Sequence, residues 1–440
     1  METVLIKTLQ LFLSLSLLVF IHEMGHFLFS RLFKVRVEKF YIFFNPWFSL
    51  FKYQSKRSGT VYGLGWVPLG GYCKIAGMID ESMDKEAMAL PAQPDEFRSK
   101  KVFPRFMIMV GGVLFNFILA LIIYSAVLFT WGESYTTPKN VALGMDYSAP
   151  AKSMGCVDGD ILLRADDIAI ERYDESTIRI IAAAKTVYVQ REAQEVAIAV
   201  PDTFMTTLIG ARQGFASFRM PMVVNKTMPG TAAETAGLTA GDSIVGINGE
   251  KLLTADRIAM ALSQNAGKPI SLEYYRYGTP DTMQITPSNE GKLGIELKPF
   301  AEIYPPTQQE YTLLGSIPAG ITKGVETLKG YVGDFEYVFT KEGAKSLGGF
   351  AAIGSIFPET FNWMRFWEMT AFLSIILAFM NILPIPALDG GHILFLLWEM
   401  ITGRKPSDKF LEYAQTAGMI ILLALMLFAN GNDLFRFVFN

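Results

Sequence analysis

The sequence predicts a polytopic α-helical membrane protein with four transmembrane helices, a membrane-associated β-hairpin sheet and two extracytoplasmic α+β domains. Hydrophobic residues make up 51% of the 440 residues and charged residues only 18%, which is an unusual balance for a soluble chain of this length. Four segments each carry about the 20 apolar residues that cross a bilayer. The long region between the second and third segments has no such run, so it is predicted to form a sizeable soluble part.

The four predicted spans differ in how they end. The third is broken by Pro384 and Pro386, because proline interrupts a helix. The first is read as a retained span and not a signal peptide, since no small-residue cleavage site follows its apolar run. The spans are residues 4–33, 106–131, 363–383 and 410–428.

Lysine and arginine are concentrated in two of the regions that connect these spans. They lie at both ends of the region between the first and second spans, which contains the loop at 79–105, and in the short loop at 393–409. Because cytoplasmic loops carry an excess of positive charge, both loops are predicted to be cytoplasmic, and both termini and the region 133–360 extracytoplasmic. Cys73 and Cys156 then fall on opposite sides of the membrane and are predicted not to form a disulfide.

Net charge and charge distribution limit the class of partner. The net charge is −3 and no basic run is present, so nucleic acid is not an expected partner. The hydrophobic spans make the lipid bilayer the expected surroundings.

A metal-binding pattern lies in the second half of the first span. His22 and His26 are four residues apart, so they share one helix face and can bind one Zn²⁺, while Glu23 can reach a metal-bound water as catalytic base. Two of the chain's three histidines are in this His-Glu-x-x-His pentad. Ionisable residues at membrane depth are costly and mark functional sites, so the pattern predicts the active site of a zinc peptidase.

The third zinc ligand must come from elsewhere in the chain. Asp389 and His392 are the candidates, both in the polar segment that follows Pro384 and Pro386. Ligand chemistry alone allows either the carboxylate or the imidazole.

Residues 35–78 change from helical to strand-like patterning. Runs of aromatic and β-branched residues are separated by Asn-Pro, Ser-Gly and Gly-Gly turns, which predicts a small sheet of hairpins that enters the membrane beside the metal. Its edge could hold an extended substrate by strand addition. The alternative is a hairpin that lies only on the membrane surface.

Two extracytoplasmic segments, 132–222 and 223–300, share an order of features that resembles permuted PDZ domains of bacterial proteases. In the second copy, Leu293-Gly294-Ile295 looks like the carboxylate-binding loop, whose backbone N–H groups receive a chain terminus. The first copy has Leu208-Ile209-Gly210 where a Leu-Gly-Ile order is usual. Both copies could bind peptide or act only as steric spacers. An amphipathic helix follows in 301–360, suited either to the outer membrane face or to the floor of the PDZ domains.

Taken together, the chain resembles the site-2 protease family of intramembrane zinc metalloproteases, in its bacterial form with tandem PDZ domains. The resemblance rests on the pentad, Gly112-x-x-x-Asn116 in the second span, and an Asn-x-x-Pro-x-Pro-x-Leu-Asp-Gly-Gly-His block that starts at Asn381. It implies that Asp389 is the third ligand and that His392 does not bind the metal. It also implies substrate-binding roles for these residues: Asn381, Pro384, Pro386, Gly63, Leu64, Gly65 and Asn116.

The resemblance implies a function in the bacterial inner membrane. The expected activity is a zinc endopeptidase that cuts single-span membrane proteins, namely an anti-sigma factor of the RseA kind in an envelope-stress cascade and remnant signal peptides. The alternative is a non-catalytic PDZ scaffold with a structural zinc. A transporter is disfavoured, because four spans offer no repeat of broken helices. The oligomeric state is not predicted.

Overall fold

The computed structural model describes residues 2–67, 70–78 and 90–439. It divides into two compact units: unit 1 contains Met1–Gly132 and Glu310–Asn440, and unit 2 is Glu133–Gln309. The predicted loop 79–105 lies partly outside the described residues. The α-helices are α1 Glu2–Leu32, α2 Val102–Trp131, α3 Ala149–Met154, α4 Glu175–Ala183, α5 Phe204–Ala211, α6 Ala232–Ala236, α7 Ala255–Gln264, α8 Phe300–Ile303, α9 Leu313–Asp334, α10 Lys341–Ser346, α11 Phe350–Ser355, α12 Trp363–Ile382, α13 Asp389–Thr402 and α14 Asp408–Phe439.

The β-strands fall into one sheet in unit 1 and several in unit 2. They are β1 Val37–Ile42, β2 Phe51–Gln54, β3 Val61–Leu64, β4 Tyr72–Ile75, β5 Glu133–Tyr135, β6 Met145–Tyr147, β7 Ile161–Ala165, β8 Ile168–Ala169, β9 Thr186–Arg191, β10 Gln194–Ala199, β11 Ala216–Phe218, β12 Met222–Thr227, β13 Ser243–Ile247, β14 Glu250–Lys251, β15 Ile270–Arg276, β16 Thr279–Ile285, β17 Ile295–Leu297 and β18 Thr307–Gln309.

Among the described residues of unit 1, four helices are long and apolar enough to cross a membrane: α1, α2, α12 and α14. The prediction of four spans is confirmed, with the last helix running further towards the C-terminus than the predicted 410–428. Among the described residues, neither Cys73 nor Cys156 is in a disulfide; their location on opposite sides of the membrane stays a prediction.

Helix α2 is the central element of unit 1. It packs against α1, α9, α12 and α13. Gly25 of α1 faces Gly111 of α2, and a Cβ at Gly25 would collide with the Gly111 carbonyl. Small residues at such a crossing let two membrane helices approach closely, so this glycine pair brings α1 against α2 beside the His-Glu-x-x-His pentad.

Strands β1–β4 form one mixed sheet in the order β2-β3-β1-β4. The expectation of a sheet made of hairpins is wrong in one respect, because β1 and β3 pair in parallel, which requires a crossover connection. Phe40 of β1 packs edge-to-face on Phe20 and Phe27 of α1. The open edges of the sheet are therefore β2 and β4, and β1 is anchored on the helix that carries the pentad.

The predicted amphipathic helix is α9, and its most buried residues are small ones, not the large apolar ones. Ser316, Gly320 and Gly324 are buried, and a Cβ at Gly320 would collide with Ser125 of α2. The apolar residues Ile317 and Ile321 are instead 47% and 43% exposed. The small residues let α9 lie directly on α2, which leaves Ile317 and Ile321 facing outward, while Leu328 of the predicted stripe packs inward.

Unit 2 contains two halves that repeat the same ion pair. Arg191 donates to both carboxylate oxygens of Asp160, at 2.8 and 2.7 Å, and to the Gly155 carbonyl at 2.9 Å. Arg276 makes the same three bonds to Asp242 and Gly237, at 2.8, 2.6 and 2.8 Å. Each half has its own hydrophobic core. The two halves thus share an ion pair of the same geometry, each beside its own core, and their identity as PDZ-like copies stays a prediction.

The second of these pairs shows how a buried carboxylate is kept charged. Burial raises the pKa of Asp242, but the hydrogen bonds from Arg276 and from the Thr239 backbone N–H outweigh it, so the pKa lies below its ordinary value. The aspartate therefore stays ionised and joins β13, β15 and the end of α6.

The loop assigned to the first copy lies elsewhere. Leu208-Ile209-Gly210 is part of helix α5, whose Phe204 and Leu208 are buried. Strand β11 begins only at Ala216 and pairs with β6, as β17 after Leu293-Gly294 pairs with β12. The sequence assignment of Leu208–Gly210 is wrong because a helical insertion precedes the loop.

Candidate metal centre

His22 and His26 project from one face of α1, as their spacing requires. Their Nε2 atoms are 3.2 Å apart, and both side chains are buried. The two rings meet edge-to-face, with centroids 4.8 Å apart. Both nitrogens therefore point to one location beside α2.

Asp389 reaches the same location from the opposite end of the chain. Its Oδ2 lies 3.1 Å from His22 Nε2 and 3.3 Å from His26 Nε2. His22, His26 and Asp389 are the group of potential metal ligands found within the described residues. The structure thus brings together the three residues predicted as zinc ligands.

The position of Asp389 depends on a sharp turn after α12. The helix ends at Ile382, and Pro384 and Pro386 follow before α13 begins at Asp389. A Cβ at Gly390 would collide with the Leu383 carbonyl, and one at Gly391 would lie 2.6 Å from Pro386 Cα. The two glycines are needed because the first turn of α13 packs directly on the preceding chain.

The three donor atoms fit a zinc ion. A tetrahedral Zn²⁺ centre with bonds of about 2.0–2.1 Å separates its donors by roughly 3.3–3.4 Å, close to the 3.1–3.3 Å observed. Asp389 Oδ2 is buried and has no hydrogen-bond partner. A Cβ at Gly112 would lie 2.5 Å from His26 Nε2 and 2.8 Å from His22 Nε2, so this glycine keeps the space beside both nitrogens open.

Groups on α2 contact the other ring nitrogens. His26 Nδ1 lies 2.9 Å from the Ile108 carbonyl oxygen, and His22 Nδ1 lies 3.3 Å from the Asn116 side-chain amide. Ile108 was missed by sequence reasoning, and Gly112 was named only as part of a family motif, without a role at the metal. The Gly111-Gly112 pair inside an apolar span was an available signal, whereas no residue type marks a backbone carbonyl that will contact a ligand.

Glu23 lies between the metal cluster and the sheet. Its carboxylate lies near the backbone of Cys73, which belongs to edge strand β4. The candidate base is therefore next to the strand edge that a substrate could approach.

His392 is separate from this cluster. It lines a cavity of about 60 Å³ together with Arg105, Phe395 and Glu399, on the side of α13 that meets the start of α2. Of the two candidates that ligand chemistry left open, Asp389 is therefore the one that lies next to His22 and His26.

The residues predicted to bind substrate are dispersed around the site. Asn381 is in the last turn of α12 and is half-buried, Pro384 is exposed, and the Pro386 carbonyl lies against Gly418 of α14. Gly63, Leu64 and Gly65 are in or next to β3, an interior strand. A Cβ at Gly63 would collide with the Tyr41 ring, so packing within the sheet already accounts for that glycine.

Leu293, Gly294 and Ile295 lie in unit 2 at the start of edge strand β17. Leu293 is buried and Gly294 has a φ of +80°, a backbone conformation that favours glycine. This loop could present backbone N–H groups to a peptide terminus.

Comparison with known proteins identifies the family. Residues 10–425 match the family described as Peptidase family M50. The "Regulator of sigma-E protease RseP" of Salmonella typhimurium is 30% identical, over 96% of this chain and 97% of its own. "Protease RseP" of Yersinia pestis is 27% identical, over 99% and 100%, and a "Putative zinc metalloprotease" of Campylobacter jejuni is 30% identical, over 98% and 94%. The chain belongs to peptidase family M50, the site-2 protease family.

Proposed function

We propose that this protein is an RseP-type intramembrane zinc endopeptidase that cuts single-span membrane proteins. The observation that carries the proposal is the convergence of Asp389 with His22 and His26, with donor atoms 3.1–3.3 Å apart. The two histidines are on α1, a helix apolar enough to cross a membrane. Within the described residues this cluster has three protein donors. Catalytic zinc sites typically use three and keep a position for water, whereas structural sites use four, which disfavours the scaffold alternative.

His22, His26 and Asp389 would hold the zinc ion, which when bound acts as a Lewis acid and lowers the pKa of a water molecule. The Glu23 carboxylate then accepts a proton from water and later donates it to the leaving amine. That carboxylate lies beside Cys73 at the sheet edge.

The substrate must expose a peptide bond that a transmembrane helix normally hides in its i to i−4 hydrogen bonds. We propose that the unwound segment adds to the edge of β4, because that strand meets Glu23 and strand addition satisfies freed peptide groups. Asn381, Pro384 and Pro386 would contact the same segment from the other side, with Gly63–Gly65 shaping the sheet that receives it.

The catalytic role is tested by comparing wild type and Glu23→Gln on a single-span peptide in detergent, with product masses. Glu23→Gln should retain zinc and lose at least about 100-fold in cleavage rate, the scale of general acid–base catalysis. A variant that keeps both zinc and full activity contradicts the mechanism. A protein that binds zinc but gives no cleavage that a hydroxamate chelator can inhibit would support the scaffold alternative.

We propose further that the two halves of unit 2 are PDZ-like domains that exclude substrates with bulky extracytoplasmic parts. The repeated ion pairs and the loop before β17 support this assignment. Strands β5 and β18 pair with each other, with Glu133 opposite Gln309, so the two ends of unit 2 are adjacent. Residues 133–309 can therefore be replaced by a short Gly-Ser linker.

That deletion should allow cleavage of an untrimmed substrate that wild type leaves intact. A trimmed substrate serves as the control, because both proteins should cut it. Unchanged discrimination in the deletion variant would remove the size-exclusion role.

The proposed setting is the bacterial inner membrane, with unit 2 and both termini extracytoplasmic and the metal towards the cytoplasmic side. The name of the Salmonella typhimurium relative refers to sigma-E, which favours an anti-sigma factor of the RseA kind as substrate, with signal-peptide remnants as a second class. Protease accessibility of unit 2 in right-side-out and inverted vesicles tests the orientation.

A further inference from the structure

Asn116 is buried at the metal cluster, and its amide is placed with its nitrogen towards an imidazole. Its side chain is fully buried, and Nδ2 lies 3.3 Å from His22 Nδ1. Its other end, Oδ1, is buried without a hydrogen-bond partner. Such unpaired polar atoms are rare in protein interiors.

The metal-binding role of His22 fixes what its Nδ1 must do. Nε2 is the nitrogen that faces Asp389, at 3.1 Å, so a metal takes the Nε2 lone pair and the ring proton sits on Nδ1. Nδ1 is then a donor and needs an acceptor. The equivalent nitrogen of His26 has one, the Ile108 carbonyl oxygen at 2.9 Å.

A half-turn of the Asn116 amide gives His22 the acceptor that it lacks. The two ends of a carboxamide have nearly the same shape, so the rotation exchanges Oδ1 and Nδ2 in place. It turns a donor-to-donor contact into a hydrogen bond and gives the orphaned oxygen a partner. The opposite orientation, with Nδ2–H donating to Nδ1, would put the ring proton on Nε2 and block metal binding.

We propose that Asn116 is a positioning residue of the metal centre, whose Oδ1 accepts the Nδ1–H bond of His22 and holds Nε2 as the metal-binding nitrogen. This inference rests on the proposed zinc site and changes the role expected from the resemblance, which placed Asn116 among substrate-binding residues. Asn116 is also tied to α12, because the Ser374 hydroxyl donates to its backbone carbonyl at 2.7 Å.

The test measures zinc affinity, by competition with a chelator of known affinity, in purified full-length protein. Asn116→Leu has similar volume but no acceptor, and should weaken zinc binding about 10–100-fold, the usual effect of losing an outer partner of a metal ligand. Asn116→Asp keeps an acceptor at the same place and should retain most of the affinity. Should Asn116→Leu fail to fold, Asn116→Ala removes the acceptor without adding apolar volume.

Ser374→Ala is the matched control, because it removes a fully buried hydrogen bond to the same residue without touching its side chain. It should leave zinc affinity unchanged. The visible absorption of the Co²⁺-substituted protein adds a second readout, with the Leu and Ala variants shifted and the Asp variant close to wild type.

Two results would overturn the inference. Wild-type zinc affinity in Asn116→Leu or Asn116→Ala would show that no acceptor is needed, and an Asn116→Asp variant as weak as these would show that packing, not hydrogen bonding, matters. If wild type itself bound no zinc, the proposed function would fail instead, so the two failures are distinguishable.

Discussion

Helices α2 and α14 both qualify as membrane spans, yet they differ in how they are packed. In the most apolar 18-residue window, 44% of α2 is buried but only 11% of α14. Helix α2 contacts four other helices and supplies Ile108, Gly112 and Asn116 to the metal cluster. A hydrophobic span can therefore be either a core element or a peripheral one, and its apolar composition does not tell which.

Helix α14 is attached through a few local contacts. Near one end, Gly418 lies against the Pro386 carbonyl and Gln415 Oε1 accepts from Ala387 N at 3.1 Å. Near the other, Asp433 accepts from the backbone N–H groups of Gly349 and Ala352, at 2.9 and 3.1 Å. Because little of its surface is buried, we expect substitutions in α14 to lower the stability of the protein less than substitutions in α2.

The largest loss of stability is expected from substitutions in the ion pair between α2 and α13. Arg105 and Glu399 are 2.6 Å apart, and their side chains are only 8% and 13% exposed. Removing one partner of such a pair leaves an uncompensated charge and costs about 3–5 kcal/mol, so Glu399→Ala should greatly lower the unfolding temperature in detergent. The double variant Arg105→Leu/Glu399→Met leaves no lone charge and should recover most of the loss; no recovery would contradict the ion-pair explanation.

An intermediate loss of stability is expected from a substitution at Gly112. An added Cβ would lie 2.5 Å from His26 Nε2, so Gly112→Ala should cost about 1–3 kcal/mol through overpacking and also reduce zinc content, measured by metal analysis. Gly431 of α14 is the matched control, since a Cβ there meets no atom within 4 Å. Gly431→Ala should keep full zinc content and gain up to about 1 kcal/mol.

The smallest effect is expected at the attachment of α14. Asp433→Ala removes two acceptor contacts and should cost about 0.5–1.5 kcal/mol, seen as a small fall in unfolding temperature with zinc content unchanged. A loss as large as that of Glu399→Ala would mean that α14 is as tightly integrated as α2, and the comparison would break down.

The sequence alone determined the spans, the pentad and the polar block around Asp389, because each is a local pattern. A bilayer sets the length of an apolar run, and helical geometry sets which residues share a face. The order of features also predicts two copies in unit 2, but it does not show that Leu208–Gly210 of the first copy is helical, in α5.

Only the tertiary structure decided which distant residues meet. Asp389 rather than His392 joins the histidines because the turn after Ile382 aims the first residue of α13 at α1. The parallel pairing of β1 with β3 and the burial of the small residues of α9 likewise depend on partners far along the chain. A sequence pattern specifies what each segment can do, whereas the contacts that choose among those options form only when the segments pack together.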